Sequence, residues 1–198
     1  MRLFVAVVPP APVVTDLATA IAEVTGRADA VDDALRWVTP DTWHLTLSFY
    51  GEVGESHLAE LRSRLLRVAA RHPACVLAFS AAGRFDRRVL WVGVVGQTER
   101  LRRIADSTSA AARRVGIPTE TQRYRPHLTV ARARTPVDLR PYVERLADYR
   151  GPTWRADRLA LVRSFLGQGP TRGSRYETIE ELPLTGRARP ESYEALPR

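Results

Sequence analysis

His44-Leu45-Thr46-Leu47-Ser48-Phe49 alternates polar and apolar side chains from its first residue, and His127-Leu128-Thr129-Val130-Ala131 repeats the opening of that pattern 83 residues later. Residues two apart in a strand point to one face. Each stretch read as a strand therefore sets an imidazole beside a hydroxyl. Leu45, Leu47 and Phe49, or Leu128 and Val130, fall on the opposite, core-directed face.

The flanking sequence repeats too. Leu3-Phe4-Val5-Ala6-Val7-Val8 and Leu90-Trp91-Val92-Gly93-Val94-Val95 share the order Leu, aromatic, Val, small, Val, Val at an offset of 87 residues. Breakers follow each run (Pro9, Pro10 and Pro12; Gly96), then helical periodicity over 14–24 and 99–115, and then the His-Leu-Thr strand. Downstream, the spacing predicts a helix over 55–71 and a strand over 75–79 in the first half. It predicts a helix over 137–149 and a strand over 159–162 in the second. One such unit has too few strands to bury its own apolar face, so the halves are expected as lobes of one α+β domain over 1–185. The last residues, 186–198, read as a solvated tail.

Composition excludes several classes. The chain has 198 residues, 44% hydrophobic and 26% charged, which suits an ordinary globular domain. Its formal charge is +8, with 30 basic residues that are all Arg. The excess favours polyanionic partners. Without Lys there is no Gly-x-x-x-x-Gly-Lys-Ser/Thr loop, and no Gly-x-Gly-x-x-Gly is present either. The lone Cys75 and four His form no zinc-spaced cluster, so neither metal nor cofactor is expected. The apolar run before Pro9 is too short for a signal peptide or a span, and a cytoplasmic protein without membrane contact is expected.

Four His and 16 Thr predict about 0.3 chance occurrences of His-x-Thr in such a chain, yet two stand at matching places of a repeat. Their chemistry suits phosphate. One neutral and one protonated imidazole can act as general base and general acid, while the hydroxyls of Thr46 and Thr129 donate to non-bridging oxygens. In-line displacement at phosphorus needs base and acid on opposite sides, which a pseudo-twofold repeat supplies across a shared cleft.

At these residues the sequence resembles the 2H phosphoesterase superfamily, most closely its branch of RNA 2′,3′-cyclic phosphodiesterases, once known as 2′-5′ RNA ligases. The likeness runs from Arg2-Leu3-Phe4-Val5-Ala6 through Arg36-Trp37-Val38-Thr39-Pro40, both motifs, Gly83-Arg84-Phe85, Arg132, and Leu161, Ser164, Leu166 and Tyr176. Departures are Tyr50 in place of the usual Leu, Tyr124 in place of Phe, and a longer run over 169–173. The resemblance implies a duplicated bilobal α+β fold, with two antiparallel sheets facing a central groove and helices outside. It implies hydrolysis of an RNA 2′,3′-cyclic phosphate end, tRNA fragments being one source, to a 2′-phosphomonoester by a monomer, with no DNA bound. His44 would be the proton donor, His127 the proton acceptor, and Thr46 and Thr129 the phosphate holders. A 5′-hydroxyl in place of water would give 2′-5′ joining.

Other positions remain open. Strict alternation puts Arg132 on the Leu face, so it contacts phosphate only where a bulge turns it. Alternation also puts Phe49 in the core, whereas the resemblance sets an aromatic near the nucleobase. Tyr124 is a groove candidate for stacking on a base. Ser164 and Tyr176 match family positions without a role. His57 and His72 read as surface residues at the two ends of the 55–71 helix, and the Arg clusters there and at 100–103 as solvated faces. Two other functions fit the same groove: a phosphodiesterase of small cyclic phosphates or 2′-5′ oligonucleotides, and a non-catalytic RNA or nucleotide binder.

Overall fold

The computed structural model describes residues 1–26, 35–169 and 173–187. The chain opens with β1 (Arg2–Val7), α1 (Ala11–Gly26), the short β2 (Leu35–Trp37), a 3-10 turn (Pro40–Thr42) and β3 (Leu45–Glu52). It continues with α2 (Glu55–Arg71), β4 (Cys75–Phe85), β5 (Val89–Gly96), α3 (Thr98–Arg113) and β6 (His127–Ala133). Last come α4 (Arg140–Arg145), β7 (Trp154–Ala156), β8 (Arg158–Phe165) and β9 (Arg175–Pro183).

Alternation in β1 sorts its side chains between two environments. Leu3, Val5 and Val7 join the main core, while Phe4 and Ala6 cluster with Ala160 and Val162 on the other face. α1 adds Val13, Leu17, Ile21 and Val24 to that core at helical spacing. Pro12 sits in its first turn, where a missing N–H costs nothing. Each fully buried Leu or Val stabilises the fold by about 1.5–3 kcal/mol relative to exposure.

The strands form two sheets, ordered β3-β1-β8-β9 and β2-β6-β5-β4-β7, with every pairing antiparallel. The repeat is visible in them: β1 and β5 are equivalent centres, each flanked by a His-Leu-Thr strand, β3 or β6. β4 of the first half and β8 of the second each lie in the sheet of the other half. β4 pairs with β5, and β8 pairs with β1. The halves are thus interlocked, because each sheet is completed only by a strand from the other half.

Local expectations fare unevenly. The helix over 55–71 matches α2, but the one expected over 137–149 shrinks to α4, Arg140–Arg145, buried through Tyr142. The strand expected over 75–79 runs on to Phe85 as β4. β2 and β7, three residues each, are too short to show periodicity, and β9 is an edge strand rich in charge. At the chain's end, the Thr185 and Gly186 amides donate to the carbonyls of Ala69 and His72. From residue 188 onward the tail expected over 186–198 lies outside the described residues, as do residues 170–172 of the 169–173 run.

Candidate active site

Both motif histidines sit where their strands begin, and both are held in the same way. His44 Nδ1 donates to the carbonyl of Thr42 at 2.8 Å, and His127 Nδ1 to the carbonyl of Arg125 at 2.7 Å. A carbonyl can only accept, so Nδ1 carries the proton in each ring and Nε2 is left for chemistry. The first tether is itself anchored. Trp43 is buried and its indole N–H donates to the Val38 carbonyl at 2.9 Å, bracing the Pro40–Thr42 turn.

Bulges then decide which side chains share a face with the histidines. β3 pairs with β1 in the steps Ala6↔Thr46, Val5↔Ser48 and Phe4↔Phe49, so Leu47 is an inserted residue. Thr46 stays on the Phe4–Ala6 face with His44. Phe49, two residues beyond the slip, also reaches this face instead of the core and packs on the Phe4, Ala6, Ala160 and Val162 cluster. Ser48 moves to the helix side, where it accepts from Ser109 Oγ of α3 at 2.9 Å. In β6 the steps Trp91↔Thr129 and Leu90↔Ala131 skip Val130. That slip brings Arg132 onto the site face, which alternation alone denies it.

A cavity of about 450 Å³ lies at this face. The first sheet gives it Arg2, Phe4, Thr46, Phe49, Ser164 and Tyr176; the second gives it Arg36, Trp37 and Arg132; His44 lies among them. His44 stacks on Phe4 with ring centroids 4.8 Å apart and meets the edge of Tyr176 at 5.0 Å. The second histidine has a matching aromatic cage: Phe85 lies 4.9 Å and Trp91 6.3 Å from the His127 ring. Phe4 and Trp91 are repeat equivalents. Arg125 stands over both cage rings, 5.9 Å from Phe85 and 5.7 Å from Trp91.

Burial among these rings lowers the pKa of both histidines, the hydrogen bonds to Thr42 and Arg125 oppose that shift, and the Arg132 charge adds to it at both. Arg125 lowers His127 further. Arg132 therefore senses both imidazoles, which links the two motifs at one guanidinium. Among the described residues no group of His, Cys, Asp and Glu is arranged to hold a metal ion. No helix there is long and apolar enough to cross a membrane.

Several sequence candidates fall elsewhere. Tyr124 packs against the core, and its hydroxyl lies buried near Arg102 and Cys75, away from the cavity lining. Its ring is absorbed by the core beneath the loop that leads to Pro126. Cys75 is a buried free thiol, pushed up to about 11 by burial. His57 is exposed, whereas His72 is half-buried at the end of α2, with Nε2 2.9 Å from Ser107 Oγ. The sequence marks Phe4, Phe85 and Trp91 only as repeat or family positions, and Arg2 likewise. Their pairing with the histidines becomes visible only once β1, β4 and β5 are placed.

The sequence model of the 2′-5′ RNA ligase superfamily matches residues 13–167. A curated relative, an RNA 2′,3′-cyclic phosphodiesterase of Aeropyrum pernix, is 32% identical over 156 residues, covering 75% of this chain and 85% of the relative. The protein of that name from Aquifex aeolicus is 28% identical over 160 residues, 76% of this chain and 82% of the relative. Among solved structures, TT0787 of Thermus thermophilus superposes with a TM-score of 0.75 at 27% identity, over 95% of this chain and all of that one. Escherichia coli LigT complexed with 3′-AMP does so at 0.74 and 26% identity, over 93% of this chain and 98% of LigT. With its two interlocked sheets and paired His-Leu-Thr strands, the chain belongs to the 2′-5′ RNA ligase superfamily.

Proposed function

We propose that this protein hydrolyses the 2′,3′-cyclic phosphate at an RNA 3′ end to a 2′-phosphomonoester, with His44 as general acid and His127 as general base. The carrying observation is the matched pair of Nδ1 tethers, which leaves one Nε2 on each histidine for proton transfer. His127 Nε2 takes a proton from water as the water oxygen bonds to phosphorus. The bond from phosphorus to O3′ breaks, and His44 Nε2 delivers its proton to O3′. Solvent exchange restores both rings. Thr46 and Thr129 donate to the non-bridging oxygens, and Arg132 offsets the charge that builds on them.

In the free protein, burial and the Arg132 charge disfavour an imidazolium at either position. A bound phosphate reverses this at His44: its charge pairs with Arg132 and, in a poorly solvated cage, strongly favours a protonated neighbour. The relatives' activity supports the reading, as does LigT's complex with 3′-AMP, a nucleotide phosphorylated at the same end. A 5′-hydroxyl in the water's place would join two ends 2′-5′, but water's concentration favours hydrolysis unless the second end is pre-bound.

The test is incubation with an RNA bearing a 2′,3′-cyclic phosphate, in chelator, and identification of the hydroxyl that keeps the phosphate. A 2′-phosphate supports the reading. A 3′-phosphate, or tight binding without turnover, sinks it.

A further inference from the structure

Two inserted residues flank Phe49 in β3. The pairing with β1 runs Ala6↔Thr46, Val5↔Ser48, Phe4↔Phe49 and Leu3↔Gly51, so it skips Leu47 on one side of Phe49 and Tyr50 on the other. Leu47, Ser48 and Tyr50 are all buried on the helix side, and Phe49 alone between them reaches the cavity, where the guanidinium carbon of Arg2 lies 4.5 Å from the centre of its ring. A regular strand would face the other way from residue 48 onward, with Ser48 in the cavity and Phe49 in the core. That facing would also match ordinary burial preferences, a hydroxyl toward water and a phenyl ring away from it. Some interaction must hold the opposite arrangement.

Helix α3 supplies it. Ser109 Oγ donates to Ser48 Oγ at 2.9 Å, the Ser48 hydroxyl is hydrogen-bonded to that of Tyr50, and the Tyr50 hydroxyl donates to the Thr108 carbonyl at 3.3 Å. The three hydroxyls form a chain in which each donates to the next and the last ends on a carbonyl. Ser48 and Tyr50 are 6% and 3% exposed, so each bond in the chain satisfies a group that water does not reach. Deprived of Ser109, the Ser48 hydroxyl loses a partner in a buried place and regains one from water only by turning into the cavity, which carries Phe49 toward the core.

We propose that Ser109 is a positioning residue whose hydrogen bond to Ser48 holds the β3 bulge at Leu47 and so keeps Phe49 as a wall of the substrate cavity. His44 and Thr46 precede the bulge, so loss of the bond disturbs substrate binding and leaves proton transfer in place. The effect on binding rests on the phosphodiesterase reading above; the facing of residue 49 does not.

The test has two readouts. In hydrolysis of a 2′,3′-cyclic phosphate end, Ser109→Ala should raise KM by about tenfold and change kcat by less than about twofold. Ser48→Ala combined with Ser109→Ala removes both partners and leaves no hydroxyl to turn toward water, so KM should return to within about twofold of wild type. The second readout needs no turnover. Phe49→Cys puts a thiol at the position in question, while Cys75 is buried and its thiol is pushed up to about 11, which makes it a slow background. Adding Ser109→Ala to Phe49→Cys should slow modification of that thiol by an aromatic disulfide about tenfold. An unchanged KM with unchanged thiol reactivity overturns the inference, as does a double alanine variant no better than Ser109→Ala alone. A fall in kcat at constant KM overturns it too, since the bond would then support the histidines instead. If wild type turns over no cyclic phosphate, the phosphodiesterase reading falls and thiol reactivity alone decides the inference.

Discussion

The indole of Trp91 occupies the space that a side chain at Gly83 would need, since a Cβ there would overlap the six-membered ring directly. Gly83 and Trp91 are register partners on β4 and β5, and Trp91 is one wall of the His127 cage. Gly83→Ala should therefore cost about 1–3 kcal/mol of stability through overpacking. Displacing the indole should also lower kcat by about tenfold, since small misplacements near the chemistry are costly. Chemical denaturation and steady-state kinetics check the two effects. An alanine variant with wild-type values for both would show that the indole has another resting place.

His44→Ala and His127→Ala should each reduce kcat by about a thousandfold, in the range of a lost general acid or base. In the proposed mechanism the two act in one step, so the double variant should be little worse than the poorer single one. Single-turnover rates for the three variants measure this. Full multiplicativity would mean that the histidines act in separate steps.

The pH dependence of rate has a predicted direction. Both free-enzyme histidines titrate below the ordinary value of 6.5, so the maximum of kcat/KM should lie on the acid side of it. Bound phosphate favours the protonated rings, so the kcat profile should shift to higher pH. Arg132→Gln removes a charge that lowers both values; its kcat/KM maximum should move toward neutrality while its height falls about 10- to 100-fold. A variant profile at the wild-type pH would disconnect Arg132 from the histidines.

Stability should also respond to pH. Burial lowers the pKa of His44, His72 and His127, so below 6.5 the unfolded chain binds more protons than the folded one. The stability these neutral histidines contribute is present above 6.5 and is lost as pH falls from there through their folded values. Asp138, held down to about 2 by Arg140, acts in a more acidic window. The urea midpoint should fall between pH 7.5 and pH 5.5, and an unchanged or rising midpoint would contradict the burial of these rings.

Much of the candidate site is legible in the sequence because it is built on short periodic motifs. His44, Thr46, His127 and Thr129 follow from a two-residue repeat that any strand obeys. Phe49 and Arg132 do not follow, because an inserted residue reverses the facing of every later side chain. Leu47 and Val130 look no different from their neighbours in sequence; only the pairing partner shows that they are bulged. Tyr124 packs against the core for a different reason: nearness in sequence to His127 says nothing about which way a loop residue packs.

Local periodicity carries the duplication, the strand-helix order of each half, the apolar face of each central strand and the pair of histidines, and all of these can be read from the amino-acid sequence. Three further features emerge only on folding: each half completes its sheet with a strand of the other, β4 or β8, Arg36 stands beside Arg132, and aromatic rings enclose each imidazole. Those depend on hydrogen-bond register between segments far apart in the chain. Register is set by the joint burial of many side chains, and no short stretch of sequence contains that information.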